Sequence, residues 1–516
     1  MSDKIDTILV VDFGGQYCHL IARRVRELNV YSEIVPSSIT AEEIREITPR
    51  LNVKGIILSG GPYSVYEDGS PKIDPKILDL GIPILGLCYG HQLIAYLLGG
   101  EVKRGARQEY GVAYVTIDKP ISILKGLNRT EKVWMSHGDT VQKLSEDFEI
   151  LAHTKNCPVA AFHHREKAIY GLQWHPEVVH TERGMEMLRN FVFDICRCQA
   201  NWKPSSLIDE KIKEIKETVG EGKAIIALSG GIDSNTSAVI AAKALGEKLT
   251  AVFVDHGFMR EGEPKFVKET FEKLGVKVIV VDARERFFKK MKGIVDPEEK
   301  RKIIGREFIR VFEEVARRIG AEHLIQGTIY PDRIESGFRK HSDKIKSHHN
   351  VAGLPTKIEF KSILEPLRDL YKDEVRRLAK TLGLPDVIVH RQPFPGPGLA
   401  VRVIGEVTPE KVELLRKADK IVSEEIEKSG LADDLWQYFA VLTDTKSTGV
   451  KGDARAYGYV VAIRAVKSRE AMTASFAYLP YEVLERISTR ITNEIPSVTR
   501  VVYDITHKPP ATIEWE

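Results

Sequence analysis

The chain has 516 residues, more than one hydrophobic core normally supports, so two or three domains are expected. Hydrophobic residues make up 43% and charged residues 29%, and 76 basic against 73 acidic side chains leave a formal charge of only +3. That balance argues against nucleic-acid or membrane-surface binding, and no apolar run approaches the roughly 20 residues needed to span a bilayer.

The N-terminus, MSDKIDTILVVDFGGQ, runs straight into a buried-strand pattern and lacks a signal-peptide layout. The five cysteines, Cys18, Cys88, Cys157, Cys196 and Cys198, are few and odd in number, which argues against a disulfide scaffold and for a reducing, cytoplasmic location. Cys196 and Cys198 have no second pair at zinc-type spacing.

Short β-rich apolar runs alternate with longer amphipathic stretches, the pattern of an α/β architecture. The first segment holds predicted strands at Ile8–Val11, Gly55–Leu58 and Ile82–Leu85 and closes with a buried helix around Met187–Ile195. Asn201–Ser206 reads as a linker. A second α/β series follows, with strands at Ala224–Leu228, Ala251–Val254, Val278–Val281 and Leu324–Gln326. The run Gln392-Pro393-Phe394-Pro395-Gly396-Pro397-Gly398 is neither helix nor central strand and marks a second boundary. Beyond it come a helix at Pro409–Ser429 and strands at Gly458–Val466 and Arg500–Ile505. The expectation is three domains, 1–200, 201–391 and 392–516: two doubly wound, mainly parallel sheets followed by a small α+β domain.

Gly86-Leu87-Cys88-Tyr89-Gly90 lies between a predicted strand and the helical run His91–Leu98. Glycines on both flanks let a sharp turn close and hold the cysteine above the sheet edge. The positive helix N-terminus favours a thiolate, and the Tyr89 N–H is placed to bind an oxyanion. Gly171-Leu172-Gln173-Trp174-His175-Pro176-Glu177 supplies a base at His175 and, two residues on, a carboxylate at Glu177 that can orient the ring. Together they make a Cys–His–Glu triad.

These residues resemble the class I glutamine amidotransferases, in which the cysteine attacks the side-chain amide of glutamine and releases ammonia. The resemblance implies that Ser59-Gly60-Gly61-Pro62 is the oxyanion strand, with the Gly61 N–H as second donor beside Gly60. It also implies that Gln92, Ser136, His137 and Asp139 contact glutamine.

Ser229-Gly230-Gly231-Ile232-Asp233-Ser234 directly follows a predicted strand and opens a helix at Asn235–Leu245. Paired glycines, two hydroxyls and a helix dipole suit an anion. It is not a Walker A loop, because no Gly-Lys-Ser/Thr follows. Gly222-Lys223-Ala224 precedes the strand and is a decoy. The loop resembles that of the N-type ATP pyrophosphatases, which cut ATP to AMP and pyrophosphate. That implies Asp233 as a Mg²⁺ ligand and places adenine near Val254, in the run Val252–Gly257.

The remaining motifs resemble the GMP synthase family: Lys302–Phe308, Gln326–Asp332, Ile345–Asn350, Pro393–Leu399 and Lys508–Glu516. The resemblance implies XMP as the acceptor, aminated to GMP at the expense of ATP in purine nucleotide biosynthesis. It further implies XMP contacts at Arg306, Gln437, Arg500, Lys508, Ile513 and Glu514, a pyrophosphate partner at Lys372, and a homodimer through the C-terminal domain. The basic, polar segment Arg339–Asn350, with His348 and His349, reads as a lid over phosphates. Asn235, Trp174 and Asp444–Lys446 depart from the family pattern without removing a nucleophile, base or phosphate donor. Two other readings are another ligase with the same ATP loop, which the Lys508–Glu516 segment disfavours, and a catalytically dead sensor, which the intact Cys88, His175, Glu177 and Asp233 disfavour.

Overall fold

The computed structural model describes residues 4–47, 51–332, 360–468 and 473–516. The chain forms two compact units, Met1–Lys203 and Pro204–Glu516.

In the first unit nine strands make one sheet: β1 (Asp6–Asp12), β2 (Tyr31–Pro36), β3 (Asn52–Leu58), β4 (Ile84–Leu87), β5 (Glu101–Ile117), β6 (Thr130–Lys143), β7 (Phe148–His153), β8 (Ala161–His164) and β9 (Ile169–Leu172). Their order is β2-β1-β3-β4-β9-β8-β7-β5-β6. The pairs from β2 through β9 are parallel, and those from β9 to β6 are antiparallel. The sequence accounts for this split. Central β1 reads Asp-Thr-Ile-Leu-Val-Val-Asp and is buried almost throughout, as a strand covered on both faces must be. Outer β6 alternates buried and half-exposed positions, as a strand with one wet face does.

The expected helix over Met187–Ile195 is present but divided. It is α-helical over Gly184–Arg189 and continues as a π-helical turn over Asn190–Ile195.

The second unit opens with a fully parallel sheet of β10 (Ala224–Ala227), β11 (Leu249–Asp255), β12 (Val278–Asp282), β13 (His323–Ile325) and β14 (Ser362–Leu364), in the order β12-β11-β10-β13-β14. Chain direction across the sheet reverses at β10. Such a switch point leaves a crevice at the carboxyl ends of the strands, where α/β proteins bind ligands. The C-terminal segment adds β15 (Gln437–Lys451), β16 (Ala454–Lys467), β17 (Ser475–Phe476) and β18 (Val498–Tyr503). Here β15 and β17 run antiparallel to β16, and β18 runs parallel to it.

One apolar core runs through this whole unit. It joins Ile225, Val252 and Phe312 of the parallel-sheet segment to Leu399, Leu415, Val461 and Ile487 of the C-terminal segment. This core continues past residue 391 without a break, and the two units divide between Lys203 and Pro204. The expected lid over Arg339–Asn350 lies outside the described residues.

Candidate active site

The turn between β4 and the helix Tyr89–Leu97 is tighter than ordinary side chains allow. A Cβ on Gly86 would stand 2.4 Å from the Gly90 carbonyl oxygen, and one on Gly90 would stand 2.4 Å from that of Leu58. Both glycines are obligatory for that reason. Cys88 between them has φ +51°, a conformation costing on the order of 1–3 kcal/mol for a residue with a side chain. The surroundings hold it there: the Cys88 N–H donates to the Leu172 carbonyl at 2.9 Å, and the Gly90 N–H donates to Ser59 at 3.1 Å. The first-turn N–H groups of a helix lack intrahelical acceptors, and that of Gly90 finds one in Ser59.

β9 runs beside β4 and delivers His175 to this turn. The His175 Nδ1–H donates to Glu177 Oε1 at 2.6 Å, with both side chains buried. The Cys88 sulfur lies close enough to the same ring to act on its charge, and it also meets the Ser136 carbonyl at 3.5 Å. Burial works against the imidazolium, but the Glu177 carboxylate and the Cys88 sulfur outweigh it and hold the His175 pKa well above its ordinary value. Thr181 Oγ1 donates to the His175 carbonyl at 2.6 Å, and Tyr17 packs edge-on against the ring at 4.9 Å. Gly60 completes the wall, since a methyl group there would stand 3.1 Å from His175 Cε1 and 3.6 Å from Cys88 Cβ.

A cavity of about 560 Å³ opens over the sulfur. Cys88, His175, Gly60, Gly61, Tyr89, Gln92, Ser136, His137 and Asp139 all line it, and Glu177 stands behind His175. The His137 side chain is not free to meet a ligand: Nδ1 faces the Asp139 carbonyl at 2.9 Å and Nε2 faces Glu109 at 3.2 Å. Gln92 Nε2 donates to the Asp139 carbonyl at 2.8 Å and to Gln173 at 3.2 Å.

In the second unit the helix Ile232–Leu245 begins three residues earlier than expected, which puts Asp233 and Ser234 in its first turn, at the positive end of the dipole. Ser229 and Ser234 join through their hydroxyls at 3.0 Å, Ser234 Oγ donates to the Gly231 carbonyl at 3.1 Å, and Gly230 has φ +75°. The loop follows β10, so it occupies the switch point. Gly327, after β13, backs against it so closely that a Cβ would stand 2.8 Å from the Ser234 nitrogen. Lys372, opening the helix Lys372–Thr381, pairs with Asp233 Oδ2. The other oxygen, Oδ1, is buried with no hydrogen-bond partner among the described residues. An orphaned carboxylate oxygen beside an anion-binding turn fits a divalent cation. Val254, near the end of β11, is fully buried, and burial pushes neighbouring His256 down to about 4, leaving it neutral.

The expected acceptor residues divide. Glu514 receives Arg402 through both carboxylate oxygens, at 2.9 and 2.8 Å, and Gln437 Nε2 at 3.2 Å. Ile513 is buried next to them, its carbonyl accepting from Arg464 Nε at 3.4 Å. Lys508 joins Ala474 through backbone hydrogen bonds at 2.7 and 3.0 Å. Arg500, exposed on β18, donates to Ser447 Oγ at 3.3 Å, and Arg306, exposed on the helix Pro297–Ile319, donates to the Lys302 carbonyl at 3.1 Å. The structure thus brings Gln437, Ile513 and Glu514 together and gives Arg306 and Arg500 separate local partners.

Family comparison covers the chain in three blocks. Residues 9–195 match the class-I glutamine amidotransferase model, residues 204–385 the PP-loop domain, and residues 424–515 the GMP synthase C-terminal domain. The chain is 56% identical over 513 residues to a protein of Caldicellulosiruptor saccharolyticus named GMP synthase [glutamine-hydrolyzing], covering 99% of each. The chain belongs to the glutamine-hydrolysing GMP synthase family. Relatives of the same name from Caldanaerobacter subterraneus and Symbiobacterium thermophilum are 54% and 55% identical, each covering 100% of both chains.

Within this GMP synthase family member, Arg402 and Arg464, both fully buried, escaped the sequence reading. Their signal was present: each is a lone cation inside an apolar run, Leu399–Ile404 and Val460–Val466, which implies a buried counter-charge. Arg402 also stacks on Phe439 at 3.9 Å and on Phe394 at 5.3 Å, giving the proline-glycine segment its anchor. Tyr17, Tyr66 and Arg104, which also line the cavity, carried no motif that would single them out.

Proposed function

We propose that the chain hydrolyses glutamine at Cys88 and uses the ammonia, with ATP cut to AMP and pyrophosphate, to convert XMP to GMP. The observation carrying this reading is the assembled triad, with the Glu177 carboxylate on His175 Nδ1 and the Cys88 sulfur close to the same ring. The raised pKa keeps the His175 imidazole charged, and a cation beside a cysteine favours its reactive anion. The thiolate attacks the amide carbon of glutamine, and the oxyanion is met by the N–H groups of Gly61 and Tyr89. His175 gives its proton to the departing ammonia and then takes one from the water that cleaves the thioester.

In the second unit the Ser229–Ser234 loop receives the β- and γ-phosphates, with Lys372 as a point charge. Asp233 would hold Mg²⁺, which neutralises charge on the leaving pyrophosphate. Gln437 and Glu514 meet the base of XMP, the carboxylate accepting from a base N–H, and the C2 oxygen of XMP is adenylated and then displaced as AMP by ammonia. Lys508, Arg306 and Arg500 supply positive charge for its 5′-phosphate. A cytoplasmic homodimer formed through residues 392–516 belongs to the same proposal. No helix among the described residues is long and apolar enough to cross a membrane.

The test is product chromatography after mixing the protein with XMP, ATP, Mg²⁺ and either glutamine or ammonium. GMP, AMP and pyrophosphate are expected from both nitrogen sources, and Cys88→Ala should lose the glutamine reaction by at least about 10⁴-fold while keeping the ammonium one. ADP and phosphate as products, or loss of both reactions in the variant, would refute the reading.

A further inference from the structure

Between Arg104 and Glu109 the ladder joining β5 to β6 breaks. Arg104 pairs with Asp139 and Glu109 with His137, so residues 105–108 stand opposite Gly138 alone. This excursion carries Gln108 into the cavity wall between Arg104 and Tyr110, which line it too. The turn is crowded against its partner strand: a Cβ on Gly105 would meet the Gly138 carbonyl oxygen at 3.2 Å, and one on Gly138 would meet Gln108 Nε2 at 3.5 Å.

Glu109 closes the excursion, and its carboxylate points away from the cavity into a shell of donors. Thr154 Oγ1 donates to it at 3.0 Å, Asn156 Nδ2 at 3.3 Å and His137 Nε2 at 3.2 Å. Both side chains of the His137–Glu109 pair are nearly inaccessible, at 1% and 10% exposure. On the far side of the imidazole, Nδ1 lies 2.9 Å from the Asp139 carbonyl. That carbonyl also accepts from Gln92 Nε2 at 2.8 Å, while the Asp139 carboxylate accepts from the Tyr66 hydroxyl at 3.1 Å. Three residues before Asp139 on the same strand, the Ser136 carbonyl lies 3.5 Å from the Cys88 sulfur. The segment Ser136–Asp139 therefore forms the wall facing the nucleophile, and its position depends on a carbonyl fixed through His137 by Glu109.

We propose that Glu109 is a positioning residue for glutamine: through His137 it sets the Ser136–Asp139 wall and the 105–108 excursion against which the substrate lies. This rests on the reading of the Cys88 cavity as the glutamine site. Burial alone would raise the Glu109 pKa, but the hydrogen bonds from His137 and Thr154 prevail and keep it below its ordinary value, so it stays an acceptor. Glu109 does not touch the reacting atoms. Its removal displaces a binding wall and leaves the Cys88–His175–Glu177 chemistry intact, so the effect belongs in KM.

The experiment is steady-state glutamate release by the full chain as glutamine is varied, for wild type, Glu109→Ala and Glu109→Gln, with ammonium-driven GMP formation measured on the same samples. Glu109→Ala should raise KM for glutamine about tenfold or more, change kcat by less than about threefold, and leave the ammonium-driven rate unchanged. Glu109→Gln, which keeps an acceptor for His137, should fall between the two. An unchanged KM, or a kcat that falls while KM holds, would overturn the proposal, since a merely structural role lowers the active fraction without altering affinity. Cys88→Ala separates the two failures: glutamate release persisting in that variant would sink the glutamine site itself, whatever Glu109 does.

Discussion

Around Cys88 the groups proposed for glutamine hydrolysis already stand in their working arrangement, with His175 donating to Glu177 and meeting the sulfur. In the second unit the charged groups face one another instead. Lys372 is held by Asp233, Arg402 by Glu514, and Arg391 by Glu263 at 2.8 Å. The contrast follows from the substrates proposed for each region. Glutamine carries no net charge, so a triad can wait for it fully assembled. ATP and XMP bring several negative charges, and a cationic site waiting without counter-ions would incur self-repulsion and desolvation. Pairing Lys372 with Asp233 avoids both at the loop proposed for phosphates, because substrate binding then exchanges partners.

The sharpest way to break this comparison is to remove the carboxylate from the paired site. Asp233→Asn should lower GMP formation from both glutamine and ammonium by about 10²–10³-fold and raise the Mg²⁺ concentration needed for half-maximal rate. A glutamine-specific loss would contradict the assignment of Asp233 to the ATP site.

The preassembled site makes a smaller prediction, with a definite sign in pH. Against burial, Glu177 helps hold the His175 pKa up, so the imidazolium survives to higher pH than an unassisted histidine would allow. Glu177→Gln removes that support, and the imidazolium is lost as pH rises through a lower value. The alkaline limb of kcat/KM for glutamine should move to lower pH, with a loss of about 10–10²-fold at neutral pH and no change in the ammonium reaction. An unshifted limb would show that Glu177 orients the ring without setting its charge.

The smallest effect is expected at Glu514→Gln. Arg402 keeps Asp419 at 3.6 Å, so the second unit should fold with a lowered melting temperature, while KM for XMP rises about tenfold. An unchanged KM would place the acceptor base elsewhere.

Much of this was legible in the sequence because the decisive features are local. The elbow glycines, the His-Pro-Glu spacing and the serine-glycine loop each lie within a few residues, and each obeys a steric or dipolar rule that composition alone exposes. Two kinds of feature were not local. The His137–Glu109 pair joins residues 28 apart, and Arg402 meets Glu514 112 residues on. Such partners become neighbours only through strand pairing and core closure. Element ends were also displaced: β4 starts at Ile84, two residues after the expected start, because parallel neighbours and not the apolar run define where the ladder begins.

The continuous core of the second unit has a consequence for how nucleotides are presented to each other. Ile225 and Val252, at the roots of the strands bearing the phosphate loop and the β11 turn, belong to the same packed interior as Leu399 and Val461, which flank Arg402 and Arg464. A floor shared in this way behaves as a single casting. The distance between the cradle proposed for the departing diphosphate and the carboxylate proposed to read the purine is fixed once, when the chain folds, and does not have to be found again at each turnover.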